Sequence, residues 1–309
     1  MTCYSPLTGY RSRFVNPSGK RSIVFSPKDG FKDLKVQVPC GQCIGCRLDR
    51  SLAWATRCVH EASLYDDNCF LTLTYDDEHL PVDGSLVPSH FTDFMKRLRR
   101  RLEPRKVRYY MCGEYGDENG RPHYHALIFN YDFPDKVAWG KSRGGDVISV
   151  SAGLSSVWTK GFSTIGDVTF SSAAYVARYI AKKVTGDKAS EHYQSVNPVT
   201  GEIFEVEPEY SRMSLKPGIG TGWFEKFKSD AFPSDFVVLN GRKMRVPKYY
   251  EQLFERNLRE VSEDARELLV VKARRRRQAA KSSADQTAER LAVRETVKLA
   301  QYSQLKRSV

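Results

Sequence analysis

The segment Val107-Arg108-Tyr109-Tyr110-Met111-Cys112-Gly113-Glu114-Tyr115-Gly116-Asp117-Glu118-Asn119-Gly120-Arg121-Pro122-His123-Tyr124-His125-Ala126-Leu127-Ile128-Phe129-Asn130 holds two strand-like runs around a turn rich in Gly, Asp, Asn and Pro. That composition predicts a β-hairpin. His123 and His125 are two residues apart, so on a strand they project from one face while Tyr124 points the other way. With the turn centred between Glu118 and Asn119, Glu114 falls opposite His123 and its carboxylate joins the imidazoles. A mixed N and O set with open positions suits Mg²⁺ or Mn²⁺ carrying a phosphate oxygen better than a closed zinc site. A His-x-His pair on a strand fits a half-buried polar face equally well.

Working outward, Phe70-Leu71-Thr72-Leu73-Thr74-Tyr75 reads as a buried strand, and Pro88 opens a helix with the apolar stripe Phe91, Phe94, Met95 and Leu98. Asp132 to Gly145 reads as a loop, 146–150 and 161–168 as strands, and Ser171 to Val184 as a helix. Strands and helices alternate irregularly around a hairpin, which predicts an α+β fold with an antiparallel sheet. Upstream, Leu48, Leu52, Ala55, Val59 and Ala62 recur at helical spacing and predict a helix ending near Tyr65. The expected organisation is an N-terminal arm with a cysteine cluster (1–45), the core (46–185), a mixed accessory region (186–245) and a charged helical or partly disordered tail (246–309).

Tyr175-Val176-Ala177-Arg178-Tyr179-Ile180-Ala181-Lys182-Lys183 falls in the predicted helix, with Tyr175 and Tyr179 on one face. Each has a cation three residues on, Arg178 and Lys182, placed to steady a phosphate or lower a phenol pKa. A phenolic oxygen can attack phosphorus and keep the bond energy as a phosphotyrosine when a metal neutralises the phosphate. An aromatic stripe packing the helix onto the sheet is the competing reading.

The 309 residues are 40% hydrophobic and carry a net charge of +12, which favours a polyanionic partner. Residues 241–309 hold nine of those twelve positive charges, including Arg274, Arg275, Arg276 and Arg277. That run, like Arg97, Arg99, Arg100 and Arg101 after Pro88, either contacts phosphates or forms a solvated helix face. Residues 1–10 lack the apolar core of a signal peptide, and no stretch is apolar enough to span a bilayer, so a cytosolic protein without a membrane partner is expected. Cys40, Cys43 and Cys46 have Cys-x-x-Cys spacing twice over. Zinc with Cys3 as fourth ligand, reduced thiols and a redox pair are the three readings. Cys58 is too far along the helix to join them, and Cys69 and Cys112 are expected in the core.

Taken in order, Phe70 to Tyr75, Pro122-His123-Tyr124-His125 and Tyr175 to Lys183 resemble the three motifs of HUH replication initiators, most closely those of microviruses of the gokushovirus type. Pro39-Cys40-Gly41-Gln42-Cys43-Ile44-Gly45-Cys46-Arg47 also resembles the opening of those proteins. The resemblance implies a ferredoxin-like antiparallel sheet, His123 and His125 as metal ligands, Tyr175 and Tyr179 as alternating nucleophiles and Lys182 as their helper. Arg178 and Lys183 would lie beside the DNA. It implies a rolling-circle initiator that nicks and rejoins origin DNA, single- and double-stranded, in a bacterial cytoplasm. A host helicase is then needed, since no Walker A sequence is present. Two other readings remain open: a non-catalytic zinc-containing nucleic-acid-binding regulator, and a metal-dependent nuclease that uses water.

Overall fold

In the computed structural model, residues 3–17, 19, 21–116, 119–142, 144–178, 189–196, 200–232, 234–258 and 287–304 are described. They fall into two compact units, one drawn from Met1–Arg50 and Leu258–Lys306, the other from Ser51–Asn257. The chain opens with β1 (Leu7–Ser12), β2 (Ile23–Val24) and β3 (Gly30–Val38), an antiparallel sheet in the order β2-β1-β3, then enters α1 (Ile44–Ala62). Next come β4 (Asn68–Thr74), α2 (Pro88–Leu102), β5 (Arg108–Tyr115), β6 (Pro122–Phe129), β7 (Val137–Lys141), β8 (Val147–Val150), α3 (Ala152–Val157), β9 (Ser163–Gly166) and α4 (Phe170–Arg178). The remainder runs α5 (Ala189–His192), β10 (Gln194–Val196), β11 (Ile203–Glu205), β12 (Tyr210–Met213), α6 (Thr221–Ala231), β13 (Phe236–Leu239), β14 (Arg242–Arg245), α7 (Lys248–Leu258) and α8 (Ala288–Ser303).

Seven strands form the main sheet in the order β12-β5-β6-β4-β9-β8-β7, and each neighbouring pair is antiparallel. Within it, β4-α2-β5-β6-α3-β9 gives the spatial order β5-β6-β4-β9, the ferredoxin-like arrangement expected. Two additions widen that core. The stretch 132–145, expected to be a loop, contains β7, whose five side chains are all exposed and so carry no alternating apolar signal. The outer strand β12 comes from beyond the 46–185 span set for the core.

Both faces of the sheet are covered, which explains why its central strands read as nearly continuous apolar runs. On one face Leu71, Leu73, Met111, Tyr124, Ala126 and Ile128 pack against Phe91, Phe94, Met95 and Leu98 of α2 and against Leu154 and Val157 of α3. On the other, Phe70, Tyr110, Cys112, Leu127 and Phe129 pack against Ala55 and Cys58 of α1 and Ala173, Val176 and Ala177 of α4. Each such large side chain, fully buried, contributes about 1.5–3 kcal/mol of transfer free energy. Leu52, by contrast, is exposed, so the buried stripe of α1 is centred on Ala55 and Cys58.

Polar groups pin the ends of these elements. The start of α2 has no side-chain cap; instead Tyr124 Oη accepts from the Val87 N–H at 3.1 Å and donates to the Val87 carbonyl at 2.9 Å. Tyr75 Oη then donates to Tyr124 Oη at 2.7 Å and meets His90 Nδ1 at 2.7 Å. Before β9, Gly161 adopts φ +139°, and a Cβ there would collide with the backbone of Tyr75 and Asp76, so only glycine lets β9 come alongside β4.

A further cluster, Trp223, Phe224, Phe232, Val237, Val246 and Tyr250, fills the space among α6, β13, β14 and α7. His60 stacks on Trp223 with ring centroids 3.6 Å apart and hydrogen-bonds Tyr250 Oη at 3.1 Å. Burial among these rings lowers its pKa from 6.5 to about 4. The charged tail is helical where it is described, in α7 and α8, while Arg274 to Arg277 lie outside the described residues. Among the described residues no helix is long and apolar enough to cross a membrane.

Candidate metal and tyrosine site

The hairpin register places Glu114 on β5 directly opposite His123 on β6, as the turn chemistry predicts, and Cys112 opposite His125. Both imidazoles and the carboxylate thus share the face that carries α4. His123 Nε2 and His125 Nε2 lie 3.0 and 2.9 Å from the same oxygen, Glu114 Oε1, and one ligand atom from each residue falls within 4.8 Å of the others. Glu114 is 1% exposed, and its second oxygen has no hydrogen-bond partner among the described residues. Burial pushes the Glu114 pKa up, but hydrogen bonds to His123 and His125 outweigh it and hold the carboxyl below its usual range.

Neighbouring groups orient the rings. His123 Nδ1 lies 3.0 Å from the Arg121 carbonyl, which can only accept, so Nδ1 carries the proton and the neutral ring turns the lone pair of Nε2 toward Glu114. A lone pair facing a carboxylate is repulsive unless a proton or a cation lies between them. Together with the unpartnered buried oxygen of Glu114, this donor set fits a divalent cation. His125 Nδ1 is held at 3.0 Å by Thr72 Oγ1 from the adjacent strand β4, where Thr72 pairs with His125 in register. Thr72 stands in the first sequence motif, yet its orienting role shows only once β4 is known to lie beside β6.

Helix α4 brings Tyr175 to this cluster. Its ring meets the His125 ring edge to face, 5.0 Å between centroids, and lies 6.4 Å from Phe70. Arg178, one turn on, places its guanidinium 5.8 Å from the Tyr175 ring centroid. The packing reading and the chemical one therefore both hold for Tyr175, which is half-buried against the sheet and beside the imidazoles. Tyr179, Lys182 and Lys183 lie outside the described residues.

The arginines of α2 divide. Arg97, expected among the DNA-facing cations, turns inward, and its Nε donates to the Val157 carbonyl at 2.9 Å, tying α2 to α3. Arg101 makes a similar tie to Gly153 and Ser156. Arg100 is exposed, and Arg99 borders an open cavity of about 810 Å³ that Lys106, Arg108 and Lys216 also line. Arg108 is occupied there by Glu61, an ion pair at 2.5 Å. In the other unit, Cys3, Cys40, Cys43 and Cys46 come together with all four sulfurs within 4.8 Å of one another. Cys58, Cys69 and Cys112 are fully buried in the sheet's two cores, as expected.

The family model for replication-associated protein ORF2 matches residues 68–184, which begin with β4 and take in the hairpin and α4. The chain is 38% identical over 244 residues to the replication-associated protein VP4 of Bdellovibrio phage phiMH2K, covering 76% of this chain and 73% of that protein. It is 37% identical over 231 residues to the replication-associated protein ORF2 of Spiroplasma virus 4, covering 71% and 68%. A third relative, the replication-associated protein ORF4 of Chlamydia phage 1, is 29% identical over 248 residues, 76% of this chain and 58% of that protein. No solved structure matches the chain. Its motifs, its antiparallel sheet and relatives aligned over most of their own length agree: the chain belongs to the replication-associated proteins of microviruses.

Proposed function

We propose that this protein starts rolling-circle replication by nicking one strand of origin DNA and later rejoining the ends to release circular single strands. The observation that carries the reading is Tyr175 packed edge to face on His125, on the sheet face where Glu114, His123 and His125 converge. These three residues would hold Mg²⁺ or Mn²⁺, which when bound supplies Lewis-acid neutralisation of the scissile phosphate. Tyr175 Oη attacks phosphorus; the P–O3′ bond breaks, the 5′ phosphate stays on the tyrosine, and the departing 3′ oxygen gains the proton that the phenol gives up. Arg178, at the same turn of α4, steadies phosphate charge. Tyr179 serves as the second nucleophile and Lys182 as its cation, so that one end is held while the other is cut. The substrates are single- and double-stranded DNA at a replication origin in a bacterial cytoplasm, with strand separation left to a host helicase.

The test is incubation of the full chain with 5′- and 3′-labelled oligonucleotides tiling a candidate origin, with Mg²⁺ or Mn²⁺, followed by denaturing gels. A metal-dependent adduct on the 5′ end of the downstream fragment, lost in Tyr175→Phe with Tyr179→Phe, is the expected result. Cleavage without an adduct would replace tyrosine by water as the nucleophile. Binding without cleavage, on an origin known to be cut in cells, would make the protein a regulator.

A further inference from the structure

The first forty residues present a physical difficulty. Among described residues 3–43, Cys3 is the only hydrophobic side chain that is buried, while Leu7, Phe14, Val15, Ile23, Phe25 and Leu34 are exposed. A three-stranded sheet without an apolar core of its own does not hold together by burial, and small elements in this position rely on a covalent or metal staple. We propose that Cys3, Cys40, Cys43 and Cys46 form a closed tetrathiolate site for one zinc ion, which takes the place of that core.

Chain position suits the role. Cys3 precedes β1, Cys40 follows β3, and Cys46 lies in the first turn of α1, so one ion would tie both ends of the sheet to the helix start. The turn between Cys40 and Cys43 is made by Gly41 at φ +77°, a left-handed conformation that favours glycine, and Arg50 Nη2 donates to its carbonyl at 3.2 Å. Backbone amides face the sulfurs: Cys40 N–H donates to Cys3 Sγ (3.2 Å), Tyr4 N–H to Cys43 Sγ (3.3 Å), and Gln42 and Cys43 N–H to Cys40 Sγ (3.5 and 3.3 Å). Such donors stabilise thiolates, and several thiolates gathered this closely repel one another unless a cation sits among them.

Sulfur spacing identifies the occupant. Zinc bonded to sulfur at about 2.3 Å in a tetrahedron sets the sulfurs about 3.8 Å apart. Here Cys3 Sγ and Cys43 Sγ are 4.0 Å apart and all four fall within 4.8 Å. The Cys-x₂-Cys-x₂-Cys spacing also occurs in ferredoxins, but there each thiolate binds a different iron of the cluster and the sulfurs stand farther apart. A disulfide needs only two sulfurs, at about 2.05 Å, and leaves the convergence of four unexplained.

The experiment is metal analysis of the full chain purified without chelator and then dialysed against a weak chelator that strips the carboxylate and imidazole site. We expect one zinc per chain, retained in His123→Ala with His125→Ala and lost in Cys40→Ser with Cys46→Ser. Cobalt(II) exchanged into the wild-type protein should give the ligand-field and charge-transfer bands of a tetrahedral thiolate site, so the result stands even if the cysteine variant fails to fold. Stronger chelation should speed protease cleavage within residues 3–43. Iron with acid-labile sulfide would overturn the proposal, as would metal-free protein whose four thiols react freely while protease resistance is unchanged.

Discussion

The two faces of the main sheet are built from the same strands and end differently. On the α2 and α3 side, Tyr124, Ala126 and Ile128 of β6 are all fully buried, and the polar tip of Tyr124 is spent on the start of α2. On the α1 and α4 side, Phe129 and Leu127 are fully buried, His125 is 6% exposed, and the His123 side chain reaches 16%. Two residues at a time, hydrocarbon gives way to imidazole as β6 nears the hairpin turn. The candidate site is therefore the unsealed end of a core layer, held by rigid strands and by one helix that brings a tyrosine.

If the two faces divide the work in this way, substitutions on each should separate activity from stability. The largest effect belongs to the polar face: His125→Ala should lower metal-dependent cleavage by about 10³-fold or more, since the bound cation carries several kcal/mol of transition-state charge stabilisation. Quantified nicking on gels checks this, and near-normal cleavage would break the comparison. On the sealed face, Leu71→Ala should cost about 2–5 kcal/mol in denaturant unfolding while leaving cleavage per folded molecule unchanged.

His60 provides an imidazole buried among aromatic rings with no carboxylate opposite. Its folded-state pKa, about 4, lies below the unfolded value of 6.5, so the unfolded chain binds the proton more readily. The stability it contributes is complete above pH 6.5 and is lost as the pH falls towards 4, by about 3 kcal/mol in all. His60→Phe should flatten this part of the pH profile, and an unchanged profile would place the acid sensitivity elsewhere. The smallest effect expected is that of Thr72→Val, which removes the hydrogen bond to His125 and should weaken metal binding by about 10-fold with little change in stability. Calorimetric titration with Mn²⁺ measures it.

The hairpin was legible because turn composition and a two-residue period together fix a register, and with it the face shared by Glu114, His123 and His125. Helix α2 was legible from its apolar stripe and Pro88. Three features escaped for identifiable reasons. Strand β7 is exposed along its whole length and interrupted by Gly140, so no periodicity marks it. Strand β12 is four residues long, and its identity as a strand depends on β5 lying beside it. The inward turn of Arg97 depends on the carbonyl of Val157, sixty residues away. The approach of Tyr175 to His125 belongs to this long-range class as well: sequence supplies both residues and their faces, and only the stacking of α4 on the sheet joins them.

Strand β7 also bears on how the protein behaves at high concentration. It is an outer strand of the described sheet, and its exposed Val137 and Trp139 would invite a second chain to add edge to edge. The register shift between Ala138 and Gly140 interrupts that template, and Lys136 and Lys141 at its two ends oppose the approach of an identical edge. Removing the bulge and both lysines would turn a solvated margin into an aggregation seam.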